Sequence, residues 1–390
     1  MAEQRISRRL INYFRDTLPP EGVAQIRTAS QELSGVWRSG AGDAAVTERT
    51  LHLRSVTERW VIDPARNRLR EAVDICLVAL VVALSVRAFF VQPMAIPTGS
   101  MQPTLYGVTV ENLLESASPV PSGIGQFFDR WIHGRRYFEV TAKCDGRISE
   151  ILDPEPILPI LPQWKRQRFK LGTEWHTIWF HPSDLPNPWN IDPAKLIFGY
   201  ARVTEDHFFK AGETILRLAV NSGDHILVDR LSYHFRRPER GEIVVFRTAG
   251  IAGIPEATYY IKRLVGLGGD RVRIGDDRHL VINGRRLDSQ TPRFEQVYTF
   301  VGPPKDSQYS GHLNDRVAQA LRMRPRSLAP RFPNGRAEFL VRPGHLLVMG
   351  DNSVSSLDGR QWGDFPANRL VGRFWAVYWP VGERFGRGQN

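Results

Sequence analysis

Cysteine is nearly absent: the 390 residues contain two, Cys76 and Cys144. Neither sits in a metal-ligand spacing, so a thiolate metal centre and thiol chemistry are excluded as the function, and no metal or cofactor is expected. The two fall in segments that the reading below puts on different sides of a membrane, so no disulfide is expected between them. A GxSxG nucleophile elbow is also missing. There is no zinc finger, RNP motif, long polybasic run or solenoid repeat. The net charge of +11 and pI near 9.9 are therefore read as a dispersed Arg-rich surface, with no nucleic acid partner. Lysine is scarce, and arginine carries most of the positive charge. A lysine in an apolar setting is informative here, because arginine keeps its proton and a desolvated lysine can release it. Apolar and charged fractions of 42% and 24% are those of a globular chain long enough for a sizeable core.

Residues 1–71 are polar and Arg-rich, with Gly and Ser breaks around Ser34–Gly42. They read as a solvent-exposed N-terminal region, helical at most over Glu58–Leu69. An apolar run follows over 72–91. Twenty helical residues rise about 30 Å, the thickness of a bilayer core. Its charges, Asp74 and Arg87, lie near the ends, where Arg can snorkel. Arg66, Arg68 and Arg70 precede the run and only Arg87 follows closely. The positive-inside bias then predicts a single-pass anchor of the inner (cytoplasmic) membrane, with a cytoplasmic N-terminus and residues 92–390 outside. A buried helix of a soluble domain is the alternative. A cleavable leader would not start near residue 72.

Beyond Gln92 the pattern changes to short strands rich in Val, Ile, Tyr and Phe, punctuated by Gly, Asp and Pro. They are expected at His225–Asp229, Glu242–Arg247, Thr258–Val265, Arg271–Ile274, His279–Ile282, Glu338–Val341, His345–Met349 and Leu370–Trp379. The fold class is mostly β: an antiparallel, barrel-like domain with an inserted subdomain, preceded by one transmembrane helix. Insertions are placed at about 106–218, which is Pro- and Trp-rich, and at about 283–336.

Three strings carry candidate chemistry. Ser100 lies in PTGSMQPTL, just past the apolar run. Pro97 stiffens the approach, and Gly99 permits a tight turn with room for a substrate chain. A Gly-Ser pair alone is usually only a loop, and a serine nucleophile needs a base. Ten histidines leave His open as that base, and Lys is the known alternative. Lys262 lies in YYIKRLVG. Alternation puts Tyr260, Lys262 and Leu264 on one strand face and Ile261, Arg263 and Val265 on the other, so one of the two cations faces apolar neighbours. Burial lowers a Lys pKa by up to ~3–5 units; the bland alternative is an amine that snorkels to water. The third string is MGDNSVSSLDGRQWG. Asp351 and Asn352 suit a tied turn, Ser356 can orient an amine, and Asp358 and Arg360 can pair.

Together these strings, with SGDHILVDRLSY at Ser222–Tyr233, resemble the type I signal peptidases, the bacterial leader peptidases, in order and spacing. The resemblance covers roughly a quarter of the chain. It implies a Ser/Lys dyad serine endopeptidase with Ser100 as nucleophile and Lys262 as general base. It implies an oxyanion hole from the Ser100 N–H and the Thr98 hydroxyl, and a supporting set of Ser356, Asp358 and Arg360, with Ser356 orienting Lys262. Ile96, Pro97, Leu105, Tyr260 and Ile261 would line the substrate cleft. The implied partners are signal-peptide-bearing preproteins, the lipid bilayer and the protein export machinery. The sequence departs from the family strings at Gly268, Gly359 and Ser353, and in the large insertion after Leu105. Two other readings remain: a dedicated maturation protease of the same fold, or an inactive anchored scaffold protein.

Overall fold

Alternating β-branched and aromatic residues with Gly and Pro between them build the sheet that positions the site. In the computed structural model, residues 2–387 are described apart from 15–17, 62–63, 117–118, 183–184, 188, 205, 301–310 and 321–326. The chain divides into two compact units, Met1–Val86 and Arg87–Asn390.

The first unit corrects the expectation of a merely solvent-exposed N-terminal region. Helices Ala2–Tyr13, Pro20–Arg38 and Asp43–Val61 share a small core of Leu18, Ile26, Ala29, Leu33 and Leu53. Ile26, Ala29 and Leu33 recur at helical spacing, a stripe that the polar residues between them mask in composition. A fourth helix runs from Pro64 to Phe89. Its segment Glu71–Phe89 is long and apolar enough to cross a membrane, and none of it is buried in protein.

The second unit is mostly antiparallel β. Its central sheet runs in the order Val91–Ala95, His225–Asp229, Leu370–Trp379, Ile243–Arg247, Tyr259–Leu267, His345–Met349 and Phe365–Pro366. The end strands are not paired with each other, so the sheet is open. Register shifts in its strands, at Val245/Phe246, Leu264/Gly266 and Phe374/Ala376, add local twist and bend. Both faces are covered. Ile243 and Val245 join Ile96, Met101, Leu105 and Phe374 in one cluster. The alternate residues Val244 and Phe246 join Leu264, Val348 and Phe365 in another. The middle of a strand inside such a sheet is therefore buried on both faces, as in Ile243–Phe246.

Residues between 106 and 218 form two further antiparallel sheets. One pairs Thr109–Asn112 and Arg135–Thr141 with Thr214–Asn221. The other pairs Leu161–Leu171 with Ile148–Ile151, Glu155–Leu158 and Glu174–His181. They enclose their own core, including Phe138, Phe169, Leu171 and Leu218. The 283–336 stretch instead shares a core with the neighbouring strands, placing Phe294 and Phe332 against Val265, Leu347 and Met349.

The Ser222–Tyr233 string ties down the segment that leads to Ser100. Ile96 N–H donates to the Asp224 carbonyl at 2.9 Å. The buried Asp224 carboxylate accepts from Tyr106 N–H at 2.7 Å and from Arg384 Nε at 2.9 Å. Gly223 lies so close that a methyl group there would collide with the Ile96 carbonyl. Gly223→Ala is therefore expected to lower stability by about 1–3 kcal/mol. A urea unfolding midpoint equal to that of the unaltered chain would contradict this packing.

Candidate active site

Ser100 stands in a single 3-10 turn, Gly99–Met101, entered from the extended residue Thr98. Buried Met101 and Leu105 hold the turn from behind. Two bonds from the third string clamp it: Asn352 N–H donates to the Ser100 carbonyl at 3.0 Å, and Asn352 Nδ2 donates to the Gly99 carbonyl at 3.1 Å. Gly350 leaves the space for this approach, since a side chain there would strike the Ser100 carbonyl oxygen and Ser356 Oγ.

Lys262 comes from the Tyr259–Leu267 strand, opposite Val244. Its Nζ lies 2.7 Å from Ser100 Oγ and 3.0 Å from the Ile261 carbonyl. It also sits 5.4 Å from the centre of the Tyr260 ring. The residue is 4% exposed. Burial pushes its pKa down to about 8, the carboxylates of Asp358 and Asp351 push it back up, and Arg360 adds to the lowering. The bland alternative of a snorkelling amine is thus not what is observed.

Arg263, the adjacent residue, is equally buried at 3%, which corrects the expectation that only one of the two cations meets apolar surroundings. The two-sided sheet is the reason. Their partners differ. Arg263 forks onto Asp351, Nε to Oδ1 at 2.7 Å and Nη2 to Oδ2 at 2.6 Å. Its Nη1 donates to the carbonyls of Gly241, at 2.8 Å, and Arg293. Thr104 Oγ1 closes the set by donating to Asp351 Oδ2 at 2.5 Å.

The supporting residues converge as a second ion pair. Asp358 and Arg360 are fully buried and bridged by Nε–Oδ1 and Nη2–Oδ2 contacts, both at 2.9 Å. Burial alone would raise the Asp358 carboxyl, but the Arg360 charge and its hydrogen bonds, with those of Ser356 and Gly350, hold it below the ordinary range. Ser356 Oγ donates to Asp358 Oδ2 at 2.6 Å; among the described contacts it makes none with Lys262. Ser353 Oγ accepts from Arg360 Nη1 at 2.5 Å, so this departure from the family string is an integral part of the network. Ile96 and Leu105 are buried, Tyr260 and Ile261 half-buried, and Pro97 and Thr98 exposed.

The sequence pattern gives Thr104 and Arg263 no part in holding the site and Asp351 and Asn352 only a tied turn, because the partners of all four lie far away along the chain. Among the described residues there is no group of His, Cys, Asp or Glu suited to a metal ion.

A buried amine of lowered pKa on a serine hydroxyl is the arrangement of a serine hydrolase with a lysine base. Residues 202–379 match the family model described as signal peptidase, peptidase S26, a segment that includes Lys262 and the third string. A probable signal peptidase I-2 of Synechocystis is 30% identical over 46% of this chain and 65% of its own. A signal peptidase I of Pseudomonas fluorescens is 30% identical over 42% of this chain and 62% of its own. The chain thus spans less than two thirds of the length of these relatives. A solved signal peptidase I of Enterococcus faecalis aligns with 35% of this chain and 97% of its own, at 22% identity. Its TM-score is 0.23, too low for the alignment to bear on the fold. Over residues 202–379 the chain is similar to the signal peptidases of the peptidase S26 family.

The lowered Lys262 pKa has a stability consequence of definite sign. A shift from 10.5 to about 8 costs the folded state about 3 kcal/mol. The cost is fully present below about pH 8, where both states hold the proton, and is gone above about 10.5. Lys262→Met should therefore raise the thermal midpoint below pH 8, with the gain shrinking as pH rises toward 10.5. A midpoint lowered at neutral pH would speak against a strained buried amine.

Proposed function

We propose that this protein is a membrane-anchored serine endopeptidase that removes N-terminal signal peptides from exported preproteins. The observation that carries the proposal is the 2.7 Å contact between Lys262 Nζ and Ser100 Oγ in a buried setting. The family relationship supplies the substrate class. An inactive scaffold would have no need to keep a lysine buried against a serine.

In this reading neutral Lys262 accepts the Ser100 proton as Oγ attacks the carbonyl at the end of the signal peptide. Ser100 N–H, at the start of a 3-10 turn where helical N–H groups lack partners, and the exposed Thr98 hydroxyl stabilise the oxyanion. Each such donor is worth roughly 3–4 kcal/mol. The tetrahedral intermediate collapses, and the Lys262 ammonium gives its proton to the leaving amine of the mature chain. Lys262 then takes a proton from water, which attacks the Ser100 ester and releases the signal peptide. Asp358, Arg360 and Ser356 hold the wall beside the amine. Ile96, Pro97, Leu105, Tyr260 and Ile261 line a cleft for an extended substrate that pairs with a strand edge. The apolar helix anchors the enzyme, with the N-terminal helices on the cytoplasmic side and the peptidase unit, alongside the export machinery, on the other.

Cleavage of a model preprotein in detergent tests this. Ser100→Ala and Lys262→Ala should each abolish it, and so should Lys262→Arg, because arginine keeps its proton. The rate at limiting substrate should climb with pH and level off above about 8, the pKa of Lys262, since only the neutral amine is a base. An active Lys262→Arg enzyme, or a rate flat between pH 6 and 9, would remove lysine as the base.

A further inference from the structure

The stretch that follows Leu105 reaches back to the segment that carries Thr98. Strand Val91–Ala95 ends three residues before Thr98, so Pro97 and Thr98 lie past the support of its ladder, and both are exposed. An oxyanion donor in such a place needs another holder, because its worth rests on preorganised geometry.

The first residues of the insertion supply that holder. Gly107 is buried and lies so close to Thr98 that a methyl group there would collide with the Thr98 backbone nitrogen, carbonyl carbon and carbonyl oxygen. Its φ is not positive, so the glycine is required for space and not for conformation. Val108 N–H donates to the Pro97 carbonyl at 3.1 Å. The Val108 side chain is buried in the core of the inserted subdomain with Phe138, Leu218 and Val220. From Thr109 onward the chain is paired, Thr109 with Asn221 and Val110 with Val220. Val108 thus joins the Pro97 backbone to a core built by residues of the insertion.

The insertion is also locked where it enters and leaves. Tyr106 N–H donates to Asp224 Oδ2 at 2.7 Å, and Asp224 N–H donates to the Tyr106 carbonyl at 2.8 Å. Arg384 forks onto the Asp224 carboxylate and lies 4.0 Å from the centre of the Tyr106 ring. Gly223 faces Gly107 as well as Ile96. The place of Gly107 beside Thr98 is therefore set by a hydrogen-bonded knot and not by a loose tether. Gly107 and Val108 lie outside residues 202–379, and neither belongs to the strings that carry chemistry.

We propose that Gly107 is a positioning residue for the oxyanion donor Thr98, and that Val108 makes the inserted subdomain the support on which that donor is set. This rests on the peptidase reading above and gives the insertion a task within it. Its core holds Pro97 and Thr98, while Asn352 holds the next two residues, Gly99 and Ser100. A shift of Thr98 alone would leave the Ser100–Lys262 contact and the substrate cleft in place. It should therefore lower kcat and spare KM.

The test is a double-mutant cycle on the full chain in detergent, read by cleavage of the model preprotein. Thr98→Val removes the donor and should lower kcat about a hundredfold. Gly107→Ala displaces the donor and should lower kcat about tenfold or more, with KM within about twofold. In the Thr98→Val background the same Gly107→Ala should cost about threefold at most, because no hydroxyl is left to misplace. Val108→Ala is the milder variant, since it keeps Gly107 and the N–H and loosens only the core contact. Its loss in kcat, about threefold, should likewise vanish with Thr98→Val, and it decides the matter if Gly107→Ala does not fold. An unchanged kcat, a change confined to KM, or an equal loss with and without the Thr98 hydroxyl would overturn the positioning role and leave the peptidase reading standing. An unaltered chain that leaves the preprotein uncut would remove both.

Discussion

One buried amine governs the design of the second unit. Lys262 lies within hydrogen-bonding distance of Ser100 and is starved of water, and this desolvation is the main cause that brings its pKa down to about 8. Those demands conflict with the usual way a buried cation is kept, beside a carboxylate. Two carboxylates, Asp351 and Asp358, are close enough to raise the Lys262 pKa. Each is occupied by its own arginine, Arg263 and Arg360 respectively. A carboxylate in a bidentate pair projects far less charge than a free one. The two arginines therefore protect the basicity of the site, and Arg360 contributes directly by lowering the lysine pKa.

The contrast between Lys262 and its neighbour follows from the same logic. Arginine cannot be neutralised in a protein interior, so Arg263 is surrounded by Asp351, Thr104 and two backbone carbonyls. Lysine can be neutralised, and among the described residues Lys262 has hydrogen bonds to a hydroxyl and one carbonyl and to no carboxylate. Consecutive residues on one strand thus meet opposite treatment because the sheet is covered on both faces. A one-sided sheet would have left one of them in water, and it would have carried either the support or the base, not both.

Much of this was legible before any coordinates. The strands from His225 to Trp379 follow from β-branched runs between turn residues, and the three strings named both members of the Ser100–Lys262 pair. What escaped was contact between distant parts of the chain. Thr104 meets Asp351 and Asn352 meets Gly99 across 247 and 253 residues, separations for which local periodicity holds no signal. Ser356 was assigned to the lysine from the resemblance, whereas its hydroxyl turns to Asp358; the choice between two acceptors a few ångströms apart is made by packing. The N-terminal helical core carries a weak signal because its apolar stripe, Ile26, Ala29 and Leu33, is diluted by the polar Gln, Thr, Ser and Glu residues between them.

The clamp on the Ser100 turn explains why the third string is written as it is. Asp351 fixes Arg263, Asn352 fixes the carbonyls of Gly99 and Ser100, and Gly350 lies so close to Ser100 and Ser356 that only hydrogen fits. Three consecutive residues thus address the strand of Lys262, the turn of Ser100 and the Asp358 pair at once. Gly350 N–H also donates to Asp358 at 2.9 Å, which links the two ion pairs through a single peptide segment. A displacement of that segment by even one methyl group would move the serine, the charge beside the lysine and the arginine beneath it together. The serine turn and the strand that carries the lysine are therefore tied to one loop, the first through Asn352 and the second through Arg263, and the distance between them inherits the precision of that loop.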